Sequence, residues 1–322
     1  MEIAYYDAEA VEKALDYQTC VGVLREAMQV LSTRHAVQPL RQIIELEEQG
    51  LFAIMPGALD RARGFGAKLV SVFADKERQG RSRHRGVIAV FSGETGAIEC
   101  LADAEAVTTL RTASASALAT ATLARGDAQV LTVMGTGTQA RAHVLAHRHV
   151  GNFAEVRIWG RTFPHAQSLA ERLTGELGRP VIALADARTA VRDADVICTT
   201  TSAAEPILLG EWVRPGTHVN LVGSSFLGPV EADSALVVAS RYFADYRPSA
   251  LVQASELAVA REAGLVDDAH VVGEIGEVLA GMVAGRQSPE QITLYKSLGH
   301  VVQDLAAAAH VHRAHAQIEE PA

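Results

Sequence analysis

The hexapeptide Gly135-Thr136-Gly137-Thr138-Gln139-Ala140 follows the apolar run AQVLTVM and opens the stretch TQARAHVLAHRHV. An apolar strand that turns on glycine into a helix constrains this chain more than any other feature. It requires a βα unit whose strand is buried in a parallel sheet. The positions divide the work. Gly135 permits the tight turn, Gly137 lets the backbone approach a pyrophosphate, and Ala140 lets the helix pack closely on the strand. The unpaired N–H groups of the first helical turn, at Thr138 and Gln139, add donors and positive potential for an anion.

The alternation of apolar strands and helices continues through EVRIWGR, FPHAQSLAERLTGEL, PVIALAD, ADVICTT, THVNLVGS and ALVVASRYF. This rhythm predicts an α/β class, a Rossmann-type doubly wound parallel sheet covered on both faces. The first third of the chain reads differently. Residues 7 to 34 carry apolar positions at helical spacing, and then come the strand-like runs RQIIELEE, LFAIMPG and FGAKLVSVF. VIAVFS and AIECLAD flank a Gly-containing turn as a hairpin. RTASASALATATLA is a helix of small residues that lets another backbone or a ligand come close. LYKSLGHVVQDLAAAAHVHRAHAQ reads as a final helix that returns to the first lobe.

At 322 residues the chain has material for two domains, and 48% hydrophobic with 21% charged residues is a globular composition. A net charge of -9 without a basic stripe argues against a nucleic-acid partner. Cys20, Cys100 and Cys198 lie far apart, which fits reduced thiols and no metal site. The charged segment MEIAYYDAEAVEKALD is no signal peptide, and no apolar run reaches the roughly eighteen residues of a membrane span. A cytoplasmic protein with no membrane partner is the expectation.

The second strand of the alternating region selects the ligand. A carboxylate for a ribose 2′-hydroxyl belongs at that strand's tip, roughly twenty residues past the glycines. EVRIWGRT ends in Trp159-Gly160-Arg161-Thr162, with no acid there. Arg161 suits a 2′-phosphate and adenine stacking, so NADP(H) is expected in preference to NAD(H), with NAD(H) use still open. Thr199, Thr200 and Thr201 fall at a parallel strand end, where a ligand crevice opens; buried strand-end threonines would look the same.

Only four of the 29 basic residues are lysines, and one of them, Lys68, sits inside the apolar run FGAKLVSVF. Alternation places it on one face with Val70 and Val72. An ammonium there must reach water or meet a partner, since burial alone is costly.

The chain resembles the ornithine cyclodeaminase/mu-crystallin family. The likeness rests on the Arg41 strand, MPG at 55–57, GAK at 66–68, LRTASASALA, GTGTQA, VRIWGRT, GTHVNLVGSS and ITLYKSLGHVVQDLAAA. It implies a substrate and dimerisation domain of α+β type at residues 1–120 plus 298–322, with the dinucleotide-binding domain at 121–297 inserted between. It implies a homodimer. It also implies that Arg41, Lys68 and Arg111 converge on a substrate carboxylate, with Lys68 beside the reacting C–N bond. Ser225 stands where cyclodeaminases carry an aspartate, and Arg161 where they carry an acid. Both departures point to the ketimine-reductase branch, reducing a cyclic imine carboxylate such as pyrroline-2-carboxylate or piperideine-2-carboxylate to the L-amino acid. Ornithine cyclodeamination, alanine-type dehydrogenation and non-catalytic binding of a small ligand are the alternatives. Thr112 and Val222 join the expected cofactor contacts, and Ser225 the substrate contacts.

Several signals carry less. His143 and His147, four apart on a helix, read as a surface pair with no metal, and HVHRAH as solvated helix. His84 reads equally well as a loop residue or as one reaching the site. Asp304 in VVQDLAAA resembles a family position, though helix packing or capping explains it, and Trp159 is explained by packing as well as by a cofactor contact. Met55, Phe73 and Phe226 are candidates for shaping the pocket.

Overall fold

A computed structural model describes residues 3–33, 38–46, 50–60, 64–73, 84–223 and 225–319. In chain order the elements begin with β1 (Ala4–Tyr6), α1 (Ala8–Ala14), α2 (Tyr17–Thr33), β2 (Gln42–Glu45) and β3 (Gly50–Ala58). They continue with β4 (Phe65–Phe73), β5 (His84–Phe91), β6 (Ile98–Asp103) and α3 (Ala104–Leu123). Next come β7 (Val130–Met134), α4 (Thr138–His147), β8 (Glu155–Trp159), α5 (Phe163–Leu177), β9 (Ile182–Leu184) and α6 (Ala187–Val191). After β10 (Val196–Thr199) and β11 (His218–Leu221) lie α7 (Ser234–Ala239), β12 (Ser240–Ala244), α8 (Arg247–Gln253) and α9 (Ser255–Glu262). The series ends with β13 (Val271–Glu274), α10 (Ile275–Leu279), β14 (Ile292–Lys296) and α11 (Val301–Glu319). The chain divides into two compact units, Met1–Arg111 with His300–Ala322, and Thr112–Gly299.

The first unit is a six-stranded sheet in the order β1-β6-β5-β4-β3-β2, antiparallel except for β1 beside β6. One face is apolar and packs against α11, which in turn packs on α2. Met55, Lys68, Ile88 and Ala102 stand in register across four strands of that face, and all four are buried. Gly66 lies two residues from Lys68, and a Cβ there would collide with the Ala89 carbonyl of β5. The GAK segment therefore needs its glycine for β4 and β5 to approach closely. The helix expected over residues 7 to 34 is two helices. Leu15 is extended and Asp16 caps the second by accepting from Thr19 N at 2.7 Å.

The second unit is an eight-stranded parallel sheet in the order β13-β12-β14-β11-β10-β7-β8-β9. Its order reverses between β7 and β10, and the crevice at their carboxyl ends is the topological switch point. Two expectations fail here. ALVVASRYF is helix α7 followed by β12, because Asp233 caps a helix by accepting from Leu236 N and the apolar run fits either element by pattern. The residues Leu294–Lys296 are the end of β14, paired with β11 and β12, and helix α11 starts only after Gly299 at φ 79°. The small side chains of α3 are buried on nearly every side, as an interior helix requires. Among the described residues, no helix is long and apolar enough to cross a membrane.

Candidate active site

In the first unit Lys68 is 5% exposed and its ammonium meets two partners. It donates to Thr108 Oγ1 on α3 and to Asp304 Oδ1 on α11, the latter at 3.4 Å. Arg111 reaches the same Asp304 oxygen through Nε at 3.0 Å and gives an Nη1 proton to Gln303 Oε1 at 2.9 Å. Gln303 is held in turn by its Nε2 against Met28 Sδ. Asp304 sits in the first turn of α11, where the helix dipole favours a carboxylate. Its second oxygen, Oδ2, is buried with no hydrogen bond among the described residues.

Arg41 lies half-buried one residue before β2, and its charge acts on both Lys68 and His300. Burial lowers the Lys68 pKa to about 8; Asp304 opposes that fall, and Arg111 and Arg41 add to it. His300 is held neutral, well below its ordinary value, by burial and by the Arg111 and Arg41 charges. Lys68 and Arg111 thus share the Asp304 carboxylate, with the Arg41 charge acting on Lys68, and such a buried arrangement can hold an anion.

In the second unit the glycine segment turns where the sequence puts it. Gly135 adopts φ 140° and a Cβ there would lie 2.9 Å from the Thr200 carbonyl, so only glycine fits. Its N–H donates to Trp159 O at 2.7 Å, which joins the ends of β7 and β8. Thr200 docks on the same turn through N–H and Oγ1 bonds to Met134 O, at 2.8 and 3.1 Å. Gly137 begins α4 with no side-chain cap, and no atom lies within 4 Å of where its Cβ would stand. Gln139 Oε1 is buried without a partner among the described residues, and Ala140 is fully buried against the sheet. An open space before uncapped N–H groups fits the phosphates of a dinucleotide, and the Gln139 acceptor suits a donor such as a ligand hydroxyl.

The remaining expected residues lie in both units. Val222 follows β11 and its N–H donates to Thr199 O at 3.1 Å. Ser225 is half-buried beyond it. Arg161 and Thr162 are exposed past the end of β8, and Thr162 caps α5 without a side-chain bond. Trp159 is partly buried against the core, with its indole N–H on Ala185 O, as a packing residue would be. Thr112 is buried on α3, where its carbonyl accepts from Ser116 Oγ. In the first unit Met55 is the immediate neighbour of Lys68, whereas Phe73 is at the exposed end of β4; Phe226, in the second unit, is exposed.

The weaker signals are reordered. Asp304 is not a mere packing residue but the shared anion of Lys68 and Arg111. Helical spacing hid this because the contact spans 236 residues. Gln303 and Thr108 were also unmarked, and only their place beside Asp304 and on the first turns of α3 could have drawn notice. His143 and His147 are no surface pair; both are fully buried. Their Nε2 atoms meet Ser116 Oγ and Thr120 Oγ1 on α3, each at 3.0 Å, since α4 is enclosed on almost all sides. Among the described residues no cluster could hold a metal ion. HVHRAH is only partly solvated: Val311 is buried, His312 meets the Tyr6 hydroxyl and His315 stacks on the Tyr6 ring. His84 opens β5, and its side chain lies outside the described residues.

A glycine-turned parallel sheet in one unit and a cation-rich, anion-seeking cluster in the other are the parts of a nicotinamide-dependent oxidoreductase. The model of the ornithine cyclodeaminase/mu-crystallin family matches residues 2–318, and the chain belongs to that family. It is 33% identical over 273 residues to the ketimine reductase mu-crystallin of Mus musculus, covering 84% of this chain and 83% of that one. Its fold matches a Thermococcus litoralis Delta(1)-pyrroline-2-carboxylate reductase in complex with NADH and L-proline. The TM-score is 0.93 and the identity 28%, with 98% of each chain covered. An archaeal alanine dehydrogenase dimer with bound NAD gives a TM-score of 0.92 at 29% identity, covering 100% of this chain and 98% of that one.

Proposed function

We propose that this chain reduces the C=N bond of a small cyclic imine carboxylate, of the pyrroline-2-carboxylate or piperideine-2-carboxylate type, to the L-amino acid, with NADPH preferred over NADH. The observation that carries the reading is the buried Lys68–Asp304–Arg111 set, in which the positive groups outnumber the carboxylate. A substrate carboxylate supplies the missing negative charge.

The bound dinucleotide supplies hydride. The chain's own residues supply the rest. Arg111 has used Nε–H and one Nη1–H on Asp304 and Gln303, so its remaining Nη protons are available to a ligand carboxylate. Arg41 adds a second guanidinium to the clamp. Lys68 has committed two of its three donors, to Thr108 and Asp304, and offers the third to the imine nitrogen. With a pKa of about 8 it is mostly protonated at neutral pH yet acidic enough to release a proton. Protonation of the nitrogen draws electrons from the C=N carbon. Hydride and proton together then turn the double bond into a CH–NH single bond. Ser225 is assigned to hydrogen-bonding the substrate.

NADPH preference is supported by Arg161, exposed past a strand tip that bears no acid. A homodimer belongs to the same reading, supported by the likeness to the dimeric archaeal dehydrogenase. That likeness also favours a second reading, reductive amination of an oxo acid, which differs in requiring free ammonia. Ornithine cyclodeamination is disfavoured by Ser225. The deciding test follows reduced-cofactor absorbance with pyrroline-2-carboxylate, and separately with an oxo acid plus ammonia, using NADPH and NADH. Turnover on the imine without ammonia is expected. Absence of turnover on any cyclic imine, or ammonia release from ornithine with no added reductant, overturns the reading.

A further inference from the structure

Glu231 is fully buried, outside every motif that the chemistry uses, and its carboxylate is saturated. Oε1 accepts from Thr201 N and Thr201 Oγ1, and Oε2 from Thr199 Oγ1 and Gly223 N, all four at 2.7 Å. A carboxylate has about four lone-pair sites, so none is spare. The donors come from two places: the end of β10 and the turn after β11. Those turns carry Thr200 and Val222, on the side of the switch point opposite β8 and β9.

The anchor is itself held by its backbone. Glu231 N–H donates to Glu256 Oε1 at 3.1 Å, and Glu256 Oε2 accepts from Lys296 Nζ at 2.9 Å. Glu231 O accepts from both Ile207 N and Leu208 N. A buried lysine at the end of β14 thus fixes a glutamate on α9, which fixes Glu231, which ties two adjacent strand ends together.

We propose that Glu231 is a positioning residue that sets the nicotinamide half of the dinucleotide site, leaving the adenosine half to β7, β8 and the glycine turn. In a doubly wound sheet the two halves of a dinucleotide lie on opposite sides of the switch point, and every donor that the Glu231 carboxylate holds lies on one side. The inference rests on the dinucleotide reading of this crevice and not on the choice of imine substrate.

Glu231→Gln tests it with little change of volume. Each carboxylate oxygen accepts from one backbone N–H, and a backbone N–H cannot reverse. Whichever way the amide is turned, its NH2 therefore opposes Thr201 N–H or Gly223 N–H, and one strand end is released. Binding is measured by calorimetry with ADP and NADH, and with their 2′-phosphorylated counterparts. Dinucleotide affinity is expected to fall roughly tenfold or more while ADP affinity stays within about twofold. Thr199→Val removes one donor and should move the same ratio in the same direction by less; it serves alone if Glu231→Gln does not fold. Equal weakening of both ligands, or no weakening of either, overturns the proposal. Failure of the unaltered protein to bind any of the four ligands sinks the dinucleotide reading instead, and this proposal with it.

Discussion

Lys68 Nζ and Arg111 Nε both point at a single oxygen of Asp304, at 3.4 and 3.0 Å, and leave the other oxygen of that carboxylate without a partner among the described residues. The asymmetry means that the aspartate orients two cations without exhausting itself or them.

Lys68→Ala should abolish imine reduction while leaving the fold intact, because Asp304 keeps Arg111 as a partner. A loss of roughly a hundredfold to ten-thousandfold in kcat is expected for a proton donor. Lys68→Arg should not restore it, since a guanidinium does not release its proton. Steady-state rates beside circular dichroism spectra decide this, and full activity in either variant removes Lys68 from the chemistry.

The alkaline limb of the pH profile should report Lys68. With a pKa of about 8, the ammonium is lost as pH rises through that value, so kcat/KM should fall there. Asp304 raises this pKa against burial and the two arginines. In Asp304→Asn that support is gone, so the limb should move to lower pH. A limb that stays in place would mean that another group controls the rate.

Arg161→Ala should lower the ratio of NADPH to NADH affinity by roughly tenfold, about the worth of one charge-assisted phosphate contact, with NADH binding little altered. Parallel fluorescence titrations with the two cofactors give the ratio directly. An unchanged ratio would assign the discrimination elsewhere.

The buried histidines predict acid sensitivity. Burial lowers His143 to about 3 and His147 to about 4, with the neighbouring His147 adding to the effect on His143. In the unfolded chain both titrate near their ordinary 6.5, so between those values the unfolded state binds more protons. Their contribution to stability is therefore present above about pH 6.5 and lost as pH falls towards about 4 for His147 and about 3 for His143. Urea unfolding at a series of pH values should show the slope for His147→Phe reduced by about one proton, or about 1.4 kcal/mol per pH unit. A slope unaffected by the substitution contradicts the buried neutral state.

What could be read from the chain was local or carried by motif. The glycine turn, the β5–β6 hairpin and the small-residue helix α3 each announce themselves within a few residues, through φ requirements, alternation or side-chain size. Lys68 stood out because an ammonium in an apolar strand conflicts with its surroundings. Asp304 and Glu231 did not, because an acid on a helix or in a turn conflicts with nothing nearby, and what they hold arrives from distant strands. The misread segments are ambiguous for a related reason. Ala235, Leu236, Val237 and Val238 form an apolar run that suits strand or helix equally, and only the Asp233 cap decides between them. His143 and His147 looked exposed because nothing in their spacing reveals that α3 lies against them.

The carboxylate that completes the Lys68 cluster belongs to a helix made only after the whole of Thr112–Gly299. During synthesis the ribosome therefore releases the first sheet with its ammonium and guanidinium lacking a counterion, and with the apolar face under α11 uncovered. Units generally fold as they emerge, but this one must wait for its closing helix while the intervening unit is built. Slow translation of the last segment should prolong that exposed stage, and a chaperone that shields apolar sheet faces has its window there.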